Sequence, residues 1–328
     1  MNAVDTDNTR CRVAILDDWQ DAARSCADWT RLEARASLAF FGEPFASEDE
    51  AADRLAPFDV ILAMRERTAF PASLIERLPK LRMFNLSGMR AALVDMAFMQ
   101  SRAITVCLTE GGPGVESTAD LTLALMLSAV RDLQAASGAV REGRFQRGTR
   151  PGVALAGKTL GLVGLGKIGA RVAGYGRALG MRVIAWSPNL TAARAADAGV
   201  EYAAKETLFS TADVVSVHLV LSARTAGVVG RNDIARMKDG ATLVNTSRAR
   251  LVDEAALIDA VREGHIVAAL DVFDQEPLPR THPLVAARHA VLTPHLGYST
   301  RDVYEVFYRQ QVENTLAFLD GKPIRTLA

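Results

Sequence analysis

Apolar residues along the chain fall into short blocks, separated by stretches in which they recur at helical spacing. The blocks at 12–16, 37–41, 59–63, 82–86, 104–106, 159–164, 182–186, 214–219, 242–246, 266–272 and 290–294 are rich in β-branched residues and read as strands. Several lack the alternation of a strand with one wet face, the pattern expected of strands covered on both faces of a parallel sheet. Helices are expected between them. One opens at Pro71, where proline suits the first helical turn; one follows 117–120 and runs toward Arg141; one covers 299–321 and stops at Gly321. This rhythm predicts a doubly wound α/β architecture. The strands form two sets, one before about 107 and one from about 159 to 294. The glycine and basic content of 141–158 predicts an exposed connection or crossover arm.

Composition adds mostly exclusions. The 328 residues fit about two domains, and 49% hydrophobic with 23% charged is ordinary globular composition. Lysine plus arginine and aspartate plus glutamate number 38 each, so no net charge draws the chain to nucleic acid or to a membrane. Cys11, Cys26 and Cys107 match no metal-ligand spacing; they read as small buried hydrophobes in a reducing compartment, and no metal is expected. The first residues carry acids where a signal peptide carries bases, and the longest apolar run, 121–130, is too short for a bilayer span of about 20 residues. A soluble cytoplasmic protein is the expectation.

The strongest local signal is Gly164-x-Gly166-x-x-Gly169, directly after a strand block and opening a helix. The first glycine permits a tight turn, the second lets the backbone approach a pyrophosphate, and the third lets helix and strand pack closely. Lys167 and Ile168 lie in the first helical turn, whose unpaired N–H groups attract phosphate. Ser187, eighteen residues after Gly169, stands where such units usually carry a ribose-binding acid. A serine hydroxyl can bond the ribose, but it has no charge to repel a 2′-phosphate. Pro188 and Asn189 follow rather than an arginine; Arg194 is the nearest cation.

Three further stretches, 243–257, 268–279 and 291–300, place polar residues at the ends of strand blocks, where ligands bind in such sheets. Together with the glycine loop, the motifs "NTSRARLVDE", "DVFDQEP" and "TPHLG" resemble the D-isomer-specific 2-hydroxyacid dehydrogenases, the family of phosphoglycerate dehydrogenase and glyoxylate/hydroxypyruvate reductase. The resemblance covers most of the chain. It implies that Arg248 binds the substrate carboxylate, that His295 is the acid–base residue and that Glu276 is the histidine's partner. Each residue type suits its role: a guanidinium pairs bidentately with a carboxylate, and a carboxylate beside an imidazole favours the charged acid. His218, Thr225, Thr246, Asp271 and Gly297 join Gly164, Gly166, Lys167, Ile168, Gly169, Ser187 and Asn189 as implied cofactor contacts, Asp271 toward the nicotinamide carboxamide. Val220 replaces the proline that the family commonly has two residues after His218, and Asp120 replaces its usual glutamate. His265, His282 and His289 have weaker claims. Arg65, Gly88, Met89, Arg90 and Ala91 are the implied substrate loop contacts.

The resemblance further implies two Rossmann-like domains with a cleft between them: 1–107 plus 296–328 for the substrate, 108–295 for the dinucleotide. The expected reaction is hydride transfer between NAD(P)H and a small 2-keto acid or D-2-hydroxy acid, in a homodimer, with a slight lean to NAD over NADP. Two alternatives stand beside it. One is an NAD(H)-sensing, corepressor-like binding protein on the same fold. The other is a formate-dehydrogenase-like enzyme, which Glu276 disfavours because those enzymes have glutamine there.

Overall fold

The structure, a computed structural model, describes residues 10–89 and 92–327. The chain divides into two compact units, one formed by the residues up to Pro113 together with those from Thr300 onward, the other by Gly114–Ser299. Each is built on one parallel sheet.

The first unit contains β1 (Cys11–Ile15), β2 (Ala36–Phe40), β3 (Val60–Ala63), β4 (Met83–Leu86) and β5 (Thr105–Leu108), in the order β2-β1-β3-β4-β5. β3 and β4 are buried at every position. This explains their unbroken apolar sequence, since neither face meets water. Phe70 and Phe84 pack edge to face in the core with ring centroids 4.8 Å apart. The helix Arg301–Leu319 belongs to this unit and buries amides as well as apolar groups. The Gln311 side-chain N–H donates to the Ala63 carbonyl (3.1 Å) and that of Asn314 to the Leu108 carbonyl (3.0 Å). Strand-end carbonyls thus satisfy polar groups that burial would otherwise penalise.

The second unit contains β6 (Thr159–Val163), β7 (Arg182–Trp186), β8 (Glu201–Tyr202), β9 (Val214–Val217), β10 (Ala241–Asn245), β11 (Ile266–Leu270) and β12 (Ala290–Leu292). Their order is β12-β11-β10-β9-β6-β7-β8. The chain enters at β6, winds outward through β7 and β8, then returns to the other side of β6 with β9. A crevice is therefore expected between the carboxyl ends of β6 and β9, where the winding reverses. β9, β10 and β11 are buried at every position.

Every strand block read from the sequence is present, within a few residues at each end. β8 was not foreseen: it is a two-residue edge strand with both residues exposed, too short to leave a pattern. Two helix expectations need correction. Pro71 is the residue before the helix Ala72–Glu76 rather than part of its first turn. The long helix starts earlier than expected and is broken: Gly114–Arg131 and Leu133–Arg141 are separated by Asp132 in the left-handed conformation. Asp132 accepts hydrogen bonds from the Arg150 backbone N–H (2.9 Å) and guanidinium (3.3 Å), so the returning segment fixes the break. Residues 142–158 contain neither helix nor strand.

Candidate active site

The predicted residues of the second unit converge at one edge of its sheet. Gly164 follows β6, Ser187 follows β7, His218 follows β9, Thr246 and Arg248 follow β10, Asp271 follows β11, and His295 and Gly297 follow β12. Parallel strands all point their carboxyl ends the same way, so the segments after six strands become one surface. A cavity of about 190 Å³ lies elsewhere, at the amino ends of the strands, lined in part by Asp132, Arg150, Lys158 and Lys238. None of the predicted residues lines it.

At the glycine loop, Gly164 has φ +109°, and a Cβ there would meet the His218 carbonyl oxygen at 2.7 Å. A Cβ on Gly169 would strike the Gly164 carbonyl oxygen at 2.3 Å, whereas one on Gly166 would meet nothing within 4 Å. Two of the glycines are therefore demanded by the fold itself, and Gly166 borders open space. Gly166 is also the N-cap of the helix Lys167–Ala178, and no side chain caps it. Its first-turn N–H groups are thus available to an anion. This open, uncapped cradle fits a dinucleotide pyrophosphate. Lys167 is exposed in that first turn, while Ile168 is half-buried against the apolar core.

Around the loop the remaining cofactor candidates differ in what they offer. Ser187 is half-buried, and its carbonyl accepts from Leu190 N–H (3.1 Å). Asn189 is exposed, and its carbonyl accepts from the Arg194 guanidinium (3.2 Å). His218 bonds Ser216 Oγ through Nε2 (2.9 Å), and its Nδ1 is buried with no protein partner. Burial pushes its imidazole down to about 4, so the ring is neutral at ordinary pH. Thr246 Oγ1 lies 2.8 Å from Thr122 Oγ1, and Thr225 Oγ1 donates to the Val220 carbonyl (2.7 Å), closing its own turn. Asp120, in the position of the family's glutamate, accepts a hydrogen bond from the Tyr175 hydroxyl.

The acid–base candidates lie in the segments that follow two adjacent strands, β11 and β12. His295 Nδ1 is 2.6 Å from Glu276 Oε2, and the other Glu276 oxygen accepts from Phe273 N–H (2.9 Å). Burial acts to raise the Glu276 carboxyl. The His295 hydrogen bond and charge, the Phe273 N–H and the Arg248 charge outweigh it, and the group lies below its ordinary value. The Glu276–Pro277 peptide bond is cis. With Nδ1 engaged, Nε2 is the His295 nitrogen left for a ligand. The side chains of His295 and Glu276 keep 30% and 32% of their exposure, so this pair remains reachable. Arg248 precedes the short 3₁₀ turn Ala249–Leu251. Its backbone carbonyl accepts from Asn245 Nδ2 (2.9 Å), while Asn245 Oδ1 accepts from Ser247 N–H (3.0 Å). Sequence reading passed over Asn245, although an asparagine two residues before Ser247 is the signature of such a side-chain turn.

Asp271 is fully buried. Oδ1 accepts from Thr293 Oγ1 (2.6 Å) and Leu296 N–H (2.7 Å), and Oδ2 from Gly297 N–H (2.8 Å). Burial pushes this carboxyl above the ordinary aspartate value, against the pull of those donors and of His295.

The substrate-loop candidates belong to the first unit. Arg65 has φ +55°, and its N–H donates to Ser87 Oγ (2.8 Å). Gly88 has φ +91° and donates to Thr109 Oγ1 (2.8 Å); a Cβ there would collide with the Arg65 guanidinium. Met89 is exposed. Arg90 and Ala91 lie outside the described residues.

Comparison with known proteins bears on the family of the chain. The sequence pattern of the "D-isomer specific 2-hydroxyacid dehydrogenase, NAD binding domain" matches residues 123–297. The chain is 38% identical to a glyoxylate reductase of Aeropyrum pernix over 285 residues, 81% of this chain and 84% of that one. It is 34% identical to a D-3-phosphoglycerate dehydrogenase of Archaeoglobus fulgidus over 280 residues, 85% of this chain but 53% of that one. The chain thus spans about half the length of that phosphoglycerate dehydrogenase. Among solved structures, a phosphoglycerate oxidoreductase from Vibrio cholerae superposes with a TM-score of 0.89 at 33% identity, covering 95% of this chain and 99% of that one. With the glycine cradle and the Arg248, Glu276 and His295 motifs on one sheet edge, these likenesses place the chain in the D-isomer-specific 2-hydroxyacid dehydrogenase family.

Proposed function

We propose that the protein transfers hydride between a nicotinamide dinucleotide and a small 2-keto acid or D-2-hydroxy acid. The observation that carries this reading is the His295–Glu276 pair, 2.6 Å apart on the sheet edge that also bears Arg248 and the glycine loop. Gly164, Gly166 and the first turn of the helix Lys167–Ala178 would hold the pyrophosphate, and Ser187 the adenosine ribose. The nicotinamide, when bound, supplies or accepts the hydride. Arg248 pairs with the substrate carboxylate and so orients the keto carbon. His295 gives its Nε2 proton to the keto oxygen during reduction and takes it back during oxidation. Glu276 fixes the ring through Nδ1 and places a carboxylate against the imidazole. In the first unit, Arg65 and the backbone at Gly88 are proposed to bind the substrate, together with Met89, Arg90 and Ala91.

For the cofactor we propose relaxed choice with a slight lean to NAD. Ser187 offers no charge against a 2′-phosphate, while Arg194, tied to the Asn189 carbonyl, lies beside the same loop. A preference above about 100-fold for either cofactor, roughly 2.7 kcal/mol, contradicts this part. We also propose a homodimer. The segment 133–153 displays Leu133, Val140, Phe145 and Val153 at 45–74% exposure, apolar surface that a second copy would cover.

The test is Arg248→Ala assayed with glyoxylate, pyruvate, hydroxypyruvate and bulkier 2-keto acids, using NADH and NADPH separately. The expected result is loss of turnover by about 100-fold or more with cofactor affinity retained, as for the loss of a group that orients the substrate. Normal turnover of the variant on every accepted acid contradicts the role given to Arg248.

A further inference from the structure

We propose that the cavity at the amino ends of the second unit's strands binds a small organic anion, a carboxylate carried on a short apolar body. This place is apart from the sheet edge that bears His295, and the inference does not rest on the reaction assigned there.

The cavity holds about 190 Å³, and every residue that lines it belongs to the second unit. Pockets for drug-sized ligands run to roughly 300–1,000 Å³, so the occupant here is smaller. Val214, Thr242 and Val267 are register partners across β9, β10 and β11, so their side chains share one face of the sheet. On that face Val214 and Val267 meet Ala129, from the end of the helix Gly114–Arg131, and Leu155, from the segment that returns to β6, in one apolar cluster. These groups give the cavity an apolar wall.

The rest of the lining is charged, and its two signs are used differently. The carboxylates are engaged. Asp132 accepts from the Arg150 backbone and guanidinium, and Asp213 accepts from the Thr159 N–H (2.8 Å) and Lys238 Nζ (3.0 Å). Asp239 lies 2.8 Å from His265 Nδ1, with its side chain 98% exposed. The cations keep donors in hand. Lys158 Nζ makes no hydrogen bond or ion pair among the described residues. Arg150 reaches Asp132 through Nη2 alone (3.3 Å); Nη1 has no acceptor among the described residues, and Nε is buried without one. Thr242 Oγ1, on a buried strand, makes no hydrogen bond there either. The side-chain groups left without a partner can all donate. The field at this end of the sheet agrees: His289 lies below its ordinary value, first through burial, then through the charges of Arg150 and Arg288, which outweigh Asp132. Such donors favour an anion in a half-enclosed place, where charges interact more strongly than in bulk water. The apolar wall favours an anion with hydrocarbon attached over one without it.

The experiment titrates the intact protein calorimetrically with isobutyrate. Two controls run beside it: isobutyramide, of the same shape but uncharged, and inorganic phosphate, charged but without an apolar body. Methyl NMR locates the ligand. Isobutyrate should bind with a Kd of about 1 mM or below and shift the Val214 and Val267 methyl signals, with both controls weaker by about tenfold or more. Lys158→Met and Arg150→Met should each weaken isobutyrate by about tenfold or more, and Thr242→Val by about 3- to 10-fold. Arg248→Ala should bind it at the cavity as wild type does, which separates this place from the carboxylate site assigned to Arg248. Isobutyramide binding as tightly as isobutyrate overturns the proposal, as does phosphate binding as tightly. So do unmoved Val214 and Val267 signals, or affinity unchanged in Lys158→Met. Arg150 also holds the break at Asp132, so if Arg150→Met does not fold, Lys158→Met decides. Binding lost in Arg248→Ala but kept in Lys158→Met puts the ligand at the other edge of the sheet and overturns the proposal.

Discussion

His218 illustrates what burial does to one titratable residue. It lies beneath the glycine loop with Nε2 on Ser216 and with a folded-state pKa of about 4, below its ordinary 6.5. Because the folded value is depressed, its contribution to stability is full above pH about 6.5 and drains away as the pH falls toward 4. The shift corresponds to about 3 kcal/mol. Denaturant unfolding between pH 7 and pH 4 should show a steeper loss for wild type than for His218→Gln, by an amount of that order. Equal slopes would mean that the native protein protonates the imidazole as readily as the unfolded chain does, and would contradict the depressed value. At this scale the candidate residues were legible as types: Arg248, Glu276 and His295 stand in recognisable motifs. The surroundings of Asp271 were not, and only the structure shows its carboxylate accepting three hydrogen bonds from 293–297. Arg194, the first cation after Ser187, is exposed in the helix Ala192–Asp197 and donates to the Asn189 carbonyl (3.2 Å).

Elements follow from periodicity where they are buried and escape it where they are not. Strands covered on both faces, such as β9, β10 and β11, write an unbroken apolar run, while the exposed two-residue β8 writes nothing. The break at Asp132 was equally silent, because it depends on a hydrogen bond from Arg150, eighteen residues away. The glycine loop gives the sharpest prediction at this level. Gly166→Ala adds a methyl to open space, so thermal stability should be unchanged while NADH affinity falls by about tenfold or more, the methyl standing where the backbone must approach phosphate. Gly169→Ala sets a methyl against a backbone carbonyl and should cost stability, of order 1–3 kcal/mol. A Gly166→Ala protein that binds NADH normally would mean that the loop does not cradle the cofactor.

For the whole molecule, two parallel sheets were readable from the two sets of apolar blocks, and the convergence of their motifs follows from parallel winding alone. Most candidate residues of the second unit lie just past a strand, so the topology gathers them, while Thr225 and Glu276 stand farther along their loops. The exposed apolar side chains of 133–153 predict a mass by light scattering of twice the chain. Val140→Glu with Phe145→Glu should bring it down to the monomer, and a monomeric wild type would contradict the dimer. Substrate choice was not legible, because it depends on the shape of a pocket rather than on any motif. The most direct measurement is NADH consumption by wild type and His295→Ala across glyoxylate, pyruvate, hydroxypyruvate and bulkier 2-keto acids. A D-2-hydroxyacid dehydrogenase built this way turns over at least one of them, forms the D-hydroxy acid, and loses about 100-fold or more of its rate without the imidazole. Tight NADH binding with no turnover on any acid, or turnover untouched by the loss of His295, would contradict it.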